Sequence, residues 1–490
     1  MNKIPINLLI LAASSKKINI LYILFLFFLI QAGYSQEKII LKNADKLQGE
    51  TINGESVRKA TGNVQFTQGN VDVYCNSATQ YITSNRVELI GNVKIYQDTL
   101  SLFTNKAVYF GNERRAICEG VVTLKDPNAT LRANGGYYLF NESKAVFSGD
   151  VIIINPEYRI TSNYLTYLRN TEDSFAKGNV IVTTDSAIIK AENIDFYKRQ
   201  GKTFAFEIVS IESDSSIITS DTLTNYSHEG KSIASGNVKI NDLNNNATVY
   251  GNYLENYENT NYSFIEGNAK LIQIEKENDT LFLYSKKMEA FRNKPEYYVA
   301  TDSVEVIRGE FLSKCGLAVY STSLNKIDES INLSIEPIVW QENLQLTGDS
   351  IYAELYDREL RTIYVKKLST LSNSKNSFLV IHNEDEYFND RYDQTSGTDI
   401  TMYFENENIK KVDVSQNSKS IYFLYEDKKA NGLNIAEGEN MFIYFDDEQK
   451  VSKIRIDEEP VGQYVPEIMI NSVSLTLPGF HVRNDKPVRR

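Results

Sequence analysis

The stretch Leu89-Ile90-Gly91-Asn92-Val93-Lys94-Ile95 carries the phrase that decides the fold of this 490-residue chain. The Gly-Asn-Val phrase, or a near copy of it, begins at Gly62, Gly91, Gly120, Gly149, Gly178, Gly236 and Gly267. The first five of these glycines are 29 residues apart, and the next interval is 58 residues, twice that period. The missing copy falls at Glu207, where the apolar pattern persists without the glycine. An internal repeat of this length indicates stacked, similar units.

Residues of like character stand at fixed distances from the repeated glycine. The positions two and four residues after it are apolar, and they supply the candidate binding residues Val64, Phe66, Val93, Ile95, Val122, Leu124, Val151, Ile153, Val180, Val182, Val238 and Ile240. An aromatic residue stands eighteen residues after the glycine at Tyr109, Tyr138, Tyr167 and Phe196. Spacing by two places side chains on one face of a β-strand. The columns therefore predict strands that bury one face.

Turn-forming residues divide each repeat into two strands of roughly twelve residues. In one repeat these strands are predicted from Arg114 to Leu124 and from Thr130 to Phe140. Glycine lies in the middle of both, at Gly120 and at Gly135-Gly136, and glycine inside a strand marks a bulge or sharp bend. Strands bent at their centres stack into a folded, V-shaped antiparallel sheet. A flat meander and a three-sided parallel β-helix have similar periods, but the hairpin turns favour the antiparallel sheet.

The composition agrees with an all-β fold and argues against several functions. The chain has 31 tyrosines and 23 phenylalanines, and aromatic and β-branched residues favour strands. Its formal net charge of −12 argues against nucleic acid and against docking on an anionic membrane through a basic patch. Three cysteines, Cys75, Cys118 and Cys315, are too few for a disulfide framework. Cys118 occupies an apolar column, which predicts a small buried hydrophobic residue.

Residues 1–35 are predicted to be a secretory signal peptide. Two lysines precede an apolar run from Ile18 to Ile30, which is too short for a comfortable membrane span. The stretch Gly33-Tyr34-Ser35 fits a signal peptidase site, so the mature chain would begin at Gln36. An uncleaved N-terminal anchor is the alternative. Export predicts a mature chain outside the cytoplasm.

The repeated phrase, the apolar pair after it and the later step Ala107-Val108-Tyr109 resemble the OstA-like, or organic solvent tolerance, family. That family includes the periplasmic bridge protein of lipopolysaccharide transport and the periplasmic domain of the outer-membrane translocon. The resemblance implies an elongated β-jellyroll whose apolar groove shields the acyl chains of lipopolysaccharide. It is clear over residues 58–275 and scattered as far as about 470. The chain is much longer than the usual bridge protein, which leaves its place in the pathway open.

Three regions are predicted after the signal peptide. Residues 36–300 form the OstA-like repeats, residues 301–460 continue them in more divergent form, and residues 461–490 are a tail that caps, docks or is disordered. Within the divergent region, the stretch from Gly397 to Phe404 is echoed from Gly438 to Phe445, 41 residues later.

No catalytic site, metal site or cofactor is predicted. His228, His382 and His481 are isolated from one another and from cysteine at metal-ligand spacing. The expected partners are lipopolysaccharide or a related lipid, like-folded β-jellyroll proteins that add to the edge strands, and further copies of the chain. The alternatives are a secreted structural or adhesive repeat protein without lipid, and a β-helix enzyme that acts on polysaccharide.

Overall fold

The structure is a computed structural model, and it describes residues 37–127, 129–276, 279–324, 328–357, 359–368, 374–383, 386–406, 408–426, 429–447, 449 and 451–490. The signal peptide predicted at residues 1–35 lies outside the described residues. The chain divides into two compact units, one up to Ala116 and one from Ile117 onward. In the described part of the chain, no helix is long and apolar enough to cross a bilayer.

The first unit is an antiparallel sheet of strands joined by tight turns. Its strands are β1 Ile40–Asn43, β2 Lys46–Ile52, β3 Glu55–Gln68, β4 Val71–Tyr81, β5 Arg86–Gln97 and β6 Leu100–Phe110, and β7 Arg115–Asp126 begins in it. From β3 to β6, each strand pairs with its successor in the chain. The short strands β1 and β2 pair with the second and first halves of β3, respectively.

The second unit continues the same pattern over its first half. Its regular strands are β8 Ala129–Leu139, β9 Lys144–Ile154, β10 Arg159–Leu168, β11 Asp173–Thr183, β12 Ile188–Tyr197, β13 Lys202–Glu212, β14 Ser216–Tyr226, β15 Lys231–Asp242, β16 Ala247–Tyr257, β17 Tyr262–Lys276, β18 Asp279–Phe291, β19 Tyr297–Arg308 and β20 Phe311–Thr322. Successive strands pair antiparallel throughout this series. The predicted antiparallel all-β fold is therefore confirmed, and the parallel β-helix is excluded for these strands.

The repeated glycine bends the strand that contains it. At Gly178 the backbone has φ of 81° and at Asn179 φ is 48°, and the pairing with β12 is interrupted between Lys177 and Val180. Glycine and asparagine tolerate this left-handed conformation better than other residues, which explains the Gly-Asn phrase. A side chain at Gly178 would also collide with Asn163 of β10, because an added Cβ would lie 2.9 Å from the Asn163 Cβ.

The bends fold the sheet back on itself in each unit. In the first unit, the cross-strand partners of Tyr109 on β5, β4 and β3 lead in register to Arg58. Arg58 stands ten residues before Gln68 in β3. A straight strand would separate those two levels by about 33 Å. The Tyr109 hydroxyl nevertheless donates a hydrogen bond to Gln68 Oε1 at 2.6 Å. In the second unit, Phe196 is in register with Tyr167, which lies at the end of β10. The Phe196 ring nevertheless lies 6.1 Å from the ring of Tyr158, which precedes the start of β10.

The two halves of the folded sheet are called arms. Within each unit, for the strands up to β20, the first arm consists of the half of each odd-numbered strand before its bend and the half of the next strand that pairs with it. The second arm consists of the remaining halves. In β11, for example, the first arm is Asp173–Lys177 and the second arm is Val180–Thr183.

After β20 the two arms are built from separate strands. These strands are β21 Asp328–Ser334, β22 Ile338–Gln341, β23 Leu344–Thr347, β24 Ser350–Tyr356, β25 Glu359–Lys366, β26 Ser377–His382, β27 Tyr392–Gly397, β28 Asp399–Glu405, β29 Asn408–Glu426, β30 Lys429–Phe445, β31 Val451–Asp457 and β32 Val461–Pro466. The first arm continues through β21, β24, β25 and β28, and the second arm through β22, β23, β26 and β27. The long strands β29 and β30 rejoin them.

Two clusters of buried side chains hold this later region. Between the arms, Val304, Leu346, Val365, Ile400, Val414 and Met441 are each at most 1% exposed. The second cluster contains Phe378, Val380, Ile421, Phe423 and Leu433, packed against Ile470 and Leu477 of the chain's last segment. The tail predicted from residue 461 thus begins with a strand, β32, and continues as a docked segment.

Substitution of the bend glycines should separate backbone strain from steric collision. In Gly120→Ala an added Cβ meets nothing within 4 Å although φ is 78°, whereas in Gly178→Ala it collides with Asn163. We expect Gly120→Ala to lower the free energy of unfolding by about 1–2 kcal/mol through strain alone, and Gly178→Ala to lower it further. Chemical denaturation of both variants measures the difference. Equal losses would show that the packing of Asn163 contributes nothing to the preference for glycine.

Candidate functional site

The inner columns beside the bend are buried in every regular repeat. Two residues after the bend glycine, or after Glu207 in its place, the side chains are at most 2% exposed at Val64, Val93, Val122, Val151, Val180, Val209, Val238 and Ala269. These side chains point between the arms where the arms are closest, and they are packed on both sides by neighbouring strands. They form the buried apolar core beside the bend.

The columns farther from the bend change along the chain. On the second arm, Phe66, Ile95, Leu124 and Ile153 are at most 6% exposed. From Val182 onward the corresponding side chains are partly exposed, and they form one continuous cross-strand row on seven strands, here called the aliphatic row: Val182, Ile189, Ile211, Ile218, Ile240, Val249 and Leu271. The interior is therefore accessible along β11 to β17.

The inner face of the first arm changes character over the same strands. Four residues before the bend, earlier repeats carry Val87, Ala116 and Ala145, all at most 2% exposed. The later repeats instead contribute to a second cross-strand row, here called the polar row: Ser174, Phe196, Thr203, Asn225, Ser232, Asn256 and Ser263. An aliphatic wall and a mostly hydroxyl and amide wall thus line the accessible interior.

Hydrogen bonds fix part of the polar row. The Asn225 amide donates to Ser232 Oγ at 3.0 Å. The Arg292 guanidinium donates to Ser263 Oγ at 2.7 Å and to Asn256 Oδ1 at 2.8 Å. This arginine places a positive charge beside the polar wall, where it can pair with an anionic group of a ligand.

Polar contacts join the ends of the arms where the interior is closed. In the first unit, Gln68 is 1% exposed, accepts the Tyr109 hydroxyl and donates to the Gly111 carbonyl at 2.9 Å. In the second unit, Arg169 Nε lies 3.1 Å from Asp126 Oδ2, and burial raises the pKa of the adjacent Tyr138. Pairing makes it possible to bury these groups. Such bridges hold the interior closed in those repeats.

The residues predicted from sequence fall into two classes. Ten of them, Val64, Phe66, Val93, Ile95, Val122, Leu124, Val151, Ile153, Val180 and Val238, are buried. The other two, Val182 and Ile240, lie in the aliphatic row. The binding candidates chosen from the sequence did not include the other five members of that row or the polar row, although Ile211 and Leu271 stand in the same apolar column and Phe196 in the aromatic column. The signal was present, because the column of Val87, Ala116 and Ala145 becomes Ser174, Thr203, Ser232 and Ser263.

A small cleft lies between the arms in the later region. Its second-arm wall is mixed and its first-arm wall is apolar. The second arm contributes Asp393, Thr395, Ser420 and Tyr422 together with Leu379, Ile381 and Ile421, and the first arm contributes Ile443, Phe445, Val451 and Ile454. Burial raises the pKa of Asp393 to about 7, although the hydrogen bond from the Phe423 N–H at 2.9 Å opposes the shift. The carboxyl group is therefore partly protonated near neutral pH.

The cysteines give no indication of catalysis. Cys118 is 3% exposed, and burial raises the pKa of its thiol to about 12. Cys75 and Cys315 are also buried and free. Among the described residues, no three His, Cys, Asp or Glu side chains are grouped so that they could hold a metal ion.

Comparison with known proteins agrees with the repeated motif. Residues 36–192 match the sequence model of the family described as OstA-like protein. Over these residues the chain is similar to OstA-like proteins, and they are called here the OstA-like segment. The OstA-like segment includes the bends from Gly62 to Gly178 and the first two members of the aliphatic row.

One solved structure with a match is LptH of Pseudomonas aeruginosa, described as the LptA homologous periplasmic component of the conserved lipopolysaccharide transport device. The two chains are 15% identical over 30% of this chain and 82% of that chain, with a TM-score of 0.17. No curated protein matches the chain.

The shifted pKa of Asp393 predicts a pH-dependent stability. Its folded pKa of about 7 lies above the unfolded value of 3.8, so the folded state binds this proton more tightly. The resulting stabilisation is complete below about pH 4 and is lost as the pH rises to about 7, by up to about 1.4 kcal/mol per pH unit. We expect Asp393→Asn to remove this slope in denaturation measured from pH 4.5 to 7.5. Asp390→Asn, at an exposed nearby site, is the matched control, and equal slopes in the wild type and Asp393→Asn would contradict the assignment.

Proposed function

We propose that the protein binds lipopolysaccharide or a related amphiphilic lipid between its arms and takes part in the transport of that lipid to the outer membrane. The observation that carries the proposal is the partly exposed aliphatic row opposite the polar row. The match of residues 36–192 to the OstA-like model supports the same function, because the resemblance to that family implies lipopolysaccharide transport. Export by the predicted signal peptide would bring the protein to the periplasm.

The aliphatic row suits an acyl chain in length and chemistry. It crosses seven strands, and at about 4.8 Å per strand it extends roughly 29 Å. One leaflet of a bilayer has a hydrocarbon thickness of about 15 Å, half of the total, so an extended acyl chain fits along the row. Each buried methylene contributes about 0.8 kcal/mol, which gives useful affinity without specific polar contacts.

The polar row suits the other part of an amphiphile. Hydroxyl and amide groups such as Thr203, Asn225 and Asn256 can exchange hydrogen bonds with sugar hydroxyls. The Arg292 guanidinium can pair with a phosphate through its planar fork of donors. A ligand with acyl chains on one side and a phosphorylated sugar on the other would therefore use both walls.

Unpaired strand edges support association with like-folded partners. Among the described residues, β1 and β2 pair with β3 alone, and their side chains Ile40, Leu41 and Leu47 are 42% to 56% exposed. The last strands, β31 and β32, pair with β30 alone in the described part of the chain. Such edges accept a further strand from another β-jellyroll protein or from a second copy.

The alternative is a structural repeat protein with a solid interior. The inner columns are buried from Val64 to Ile153. A structural repeat protein would have buried inner columns in all of its repeats. The two functions differ in whether lipid occupies the aliphatic row of β11 to β17.

Neighbouring residues on opposite faces of one strand allow a matched test. Ile189 and Ile218 belong to the aliphatic row, whereas Ile188 and Ile217 point to the outer face of the same arm. We expect Ile189→Asp and Ile218→Asp to lower the amount of lipid bound to the exported protein at least about tenfold, because a carboxylate is costly beside acyl chains. Ile188→Asp and Ile217→Asp should leave it unchanged.

Mass spectrometry of lipid that purifies with each variant measures the effect, with circular dichroism as the check of folding. Lipopolysaccharide or lipid A in the wild type and in the outer-face variants, but not in the inner-face variants, is the expected result. A folded wild-type protein without lipid would favour the structural repeat protein.

A further inference from the structure

The outer face of the second arm carries a cross-strand row in which lysines alternate with two tyrosines and one glutamate. From β15 to β20 the cross-strand neighbours are Lys239, Tyr250, Lys270, Tyr284, Glu305 and Lys314. The ammonium groups of Lys239 and Lys270 lie 5.8 and 5.9 Å from the centre of the Tyr250 ring, and Lys270 lies 5.7 Å from that of Tyr284. Cation–π contacts of this kind hold the lysines against the sheet while their charges face outward.

The last segment of the chain, Glu467–Arg490, lies across this outer face and is called the strap. Two buried glutamines fix its backbone. Gln394 donates to the Leu475 carbonyl and accepts the Leu477 N–H, at 2.9 and 2.8 Å. Gln345 donates to the His481 carbonyl and accepts the Arg483 N–H, at 2.8 and 2.9 Å. The indole N–H of Trp340 donates to the Arg483 carbonyl at 3.2 Å, so the strap has a defined path.

This path brings the basic end of the strap onto the row of lysines. Arg489 lies over the ring of Phe282 at 5.1 Å, and Arg490 lies over the ring of Tyr284 at 5.0 Å. Lys270 Nζ donates to the Arg490 oxygen at 2.6 Å. Residues distant in sequence thus form one cluster, here called the basic patch: Lys239, Lys270, Lys314, Arg483, Lys486, Arg489 and Arg490.

The basic patch keeps a positive excess. Glu305 contacts Lys314 and Arg490, and Asp485 contacts Lys314 and Arg483. A third carboxylate, Glu336, interacts with Arg483. Within the described residues, no Asp or Glu side chain contacts Lys239, Lys486 or Arg489, and Lys270 donates to the main-chain oxygen of Arg490, which is a carboxylate oxygen in a chain that ends there. Seven cations stand against three side-chain carboxylates and one terminal carboxylate, and this excess lies on one face of a chain whose net charge is −12.

We propose that the basic patch docks the protein on the phosphate headgroups of an anionic lipid bilayer. Charge complementarity selects an anionic partner, and about six strands present the cations over roughly 24 Å, a surface that spans several headgroups. Val488, between Lys486 and Arg489, is 70% exposed and can enter the headgroup region, as apolar residues among cations do in peripheral membrane proteins. The patch lies on the outer face, apart from the interior that the proposed function uses.

Two pairs of neutral substitutions test the two parts of the basic patch, the lysines of the sheet and the cations of the strap. Lys239→Gln/Lys270→Gln changes the sheet and leaves the strap intact, and Lys486→Gln/Arg489→Gln changes the strap alone. We expect each pair to weaken binding to phosphatidylglycerol-containing vesicles roughly 25-fold, since each cation contributes about a fivefold factor near an anionic surface. Co-sedimentation of the full exported chain with vesicles measures the affinity, and raised salt should weaken it for the wild type.

The control pair is Lys59→Gln/Lys94→Gln, which changes the net charge equally at exposed positions outside the patch. It should bind as the wild type does, and Ile218→Asp should also retain vesicle binding, which separates this surface from the lipid-binding interior. Equal binding to phosphatidylcholine vesicles, or equal losses in the control pair, would overturn the proposal. A dimer dissociated by the patch substitutions, without vesicle binding, would overturn it in favour of a second copy of the chain as the occupant.

Discussion

Every second long strand of the regular repeats, from β3 to β19, depends on a left-handed turn of the backbone near its middle. At Gly178 the turn leaves no room for a side chain, because an added Cβ would collide with Asn163 of the neighbouring strand. The interruption of pairing recurs at the same level in successive strands, so the bends form one line across the sheet. Glu207 and Ile208 hold the same conformation without glycine, with φ of 64° and 59°. The bend is thus maintained by the neighbouring strands even where the local sequence does not favour it.

The same bent scaffold produces a dry core in some repeats and an accessible interior in others. The aliphatic columns of the second arm are alike throughout, from Ile95 to Ile240. The difference lies on the first arm, where small apolar residues give way to serine, threonine and asparagine. Hydroxyl and amide groups lose hydrogen bonds to water when they are packed against isoleucine, so arms with these inner faces do not close completely. Where the arms do close, polar bridges such as Gln68 with Tyr109 join their ends.

Sequence periodicity predicts the fold because each strand pairs with the next one and the repeat is copied in register. Position in a column reports which face a residue occupies, and this was correct for residues such as Val93 and Ile240. It does not report exposure, since exposure is set by the opposite arm. The strap was beyond prediction for a related reason: Gln394 and Gln345 bind backbone groups 81 to 138 residues away. Net charge, as an average over the chain, likewise did not reveal a local cluster of cations.

The separation of the arms after β20 has a consequence for how the chain folds. In the regular repeats, pairing joins neighbours in sequence, so a strand can add to the sheet as soon as it emerges from export, and low contact order favours rapid, stepwise growth. Beyond β20 the chain alternates between the arms. As a result β23 pairs with β26, and β25 pairs with β28, strands that come later in the chain. Pairing in this region therefore joins strands that are farther apart in the sequence than in the regular repeats, and the loops that must close are longer. The strap contacts regular strands such as β17 and β18 and later strands such as β22, β23 and β27. It can dock only after these strands have paired, so its docking follows the assembly of this part of the second unit.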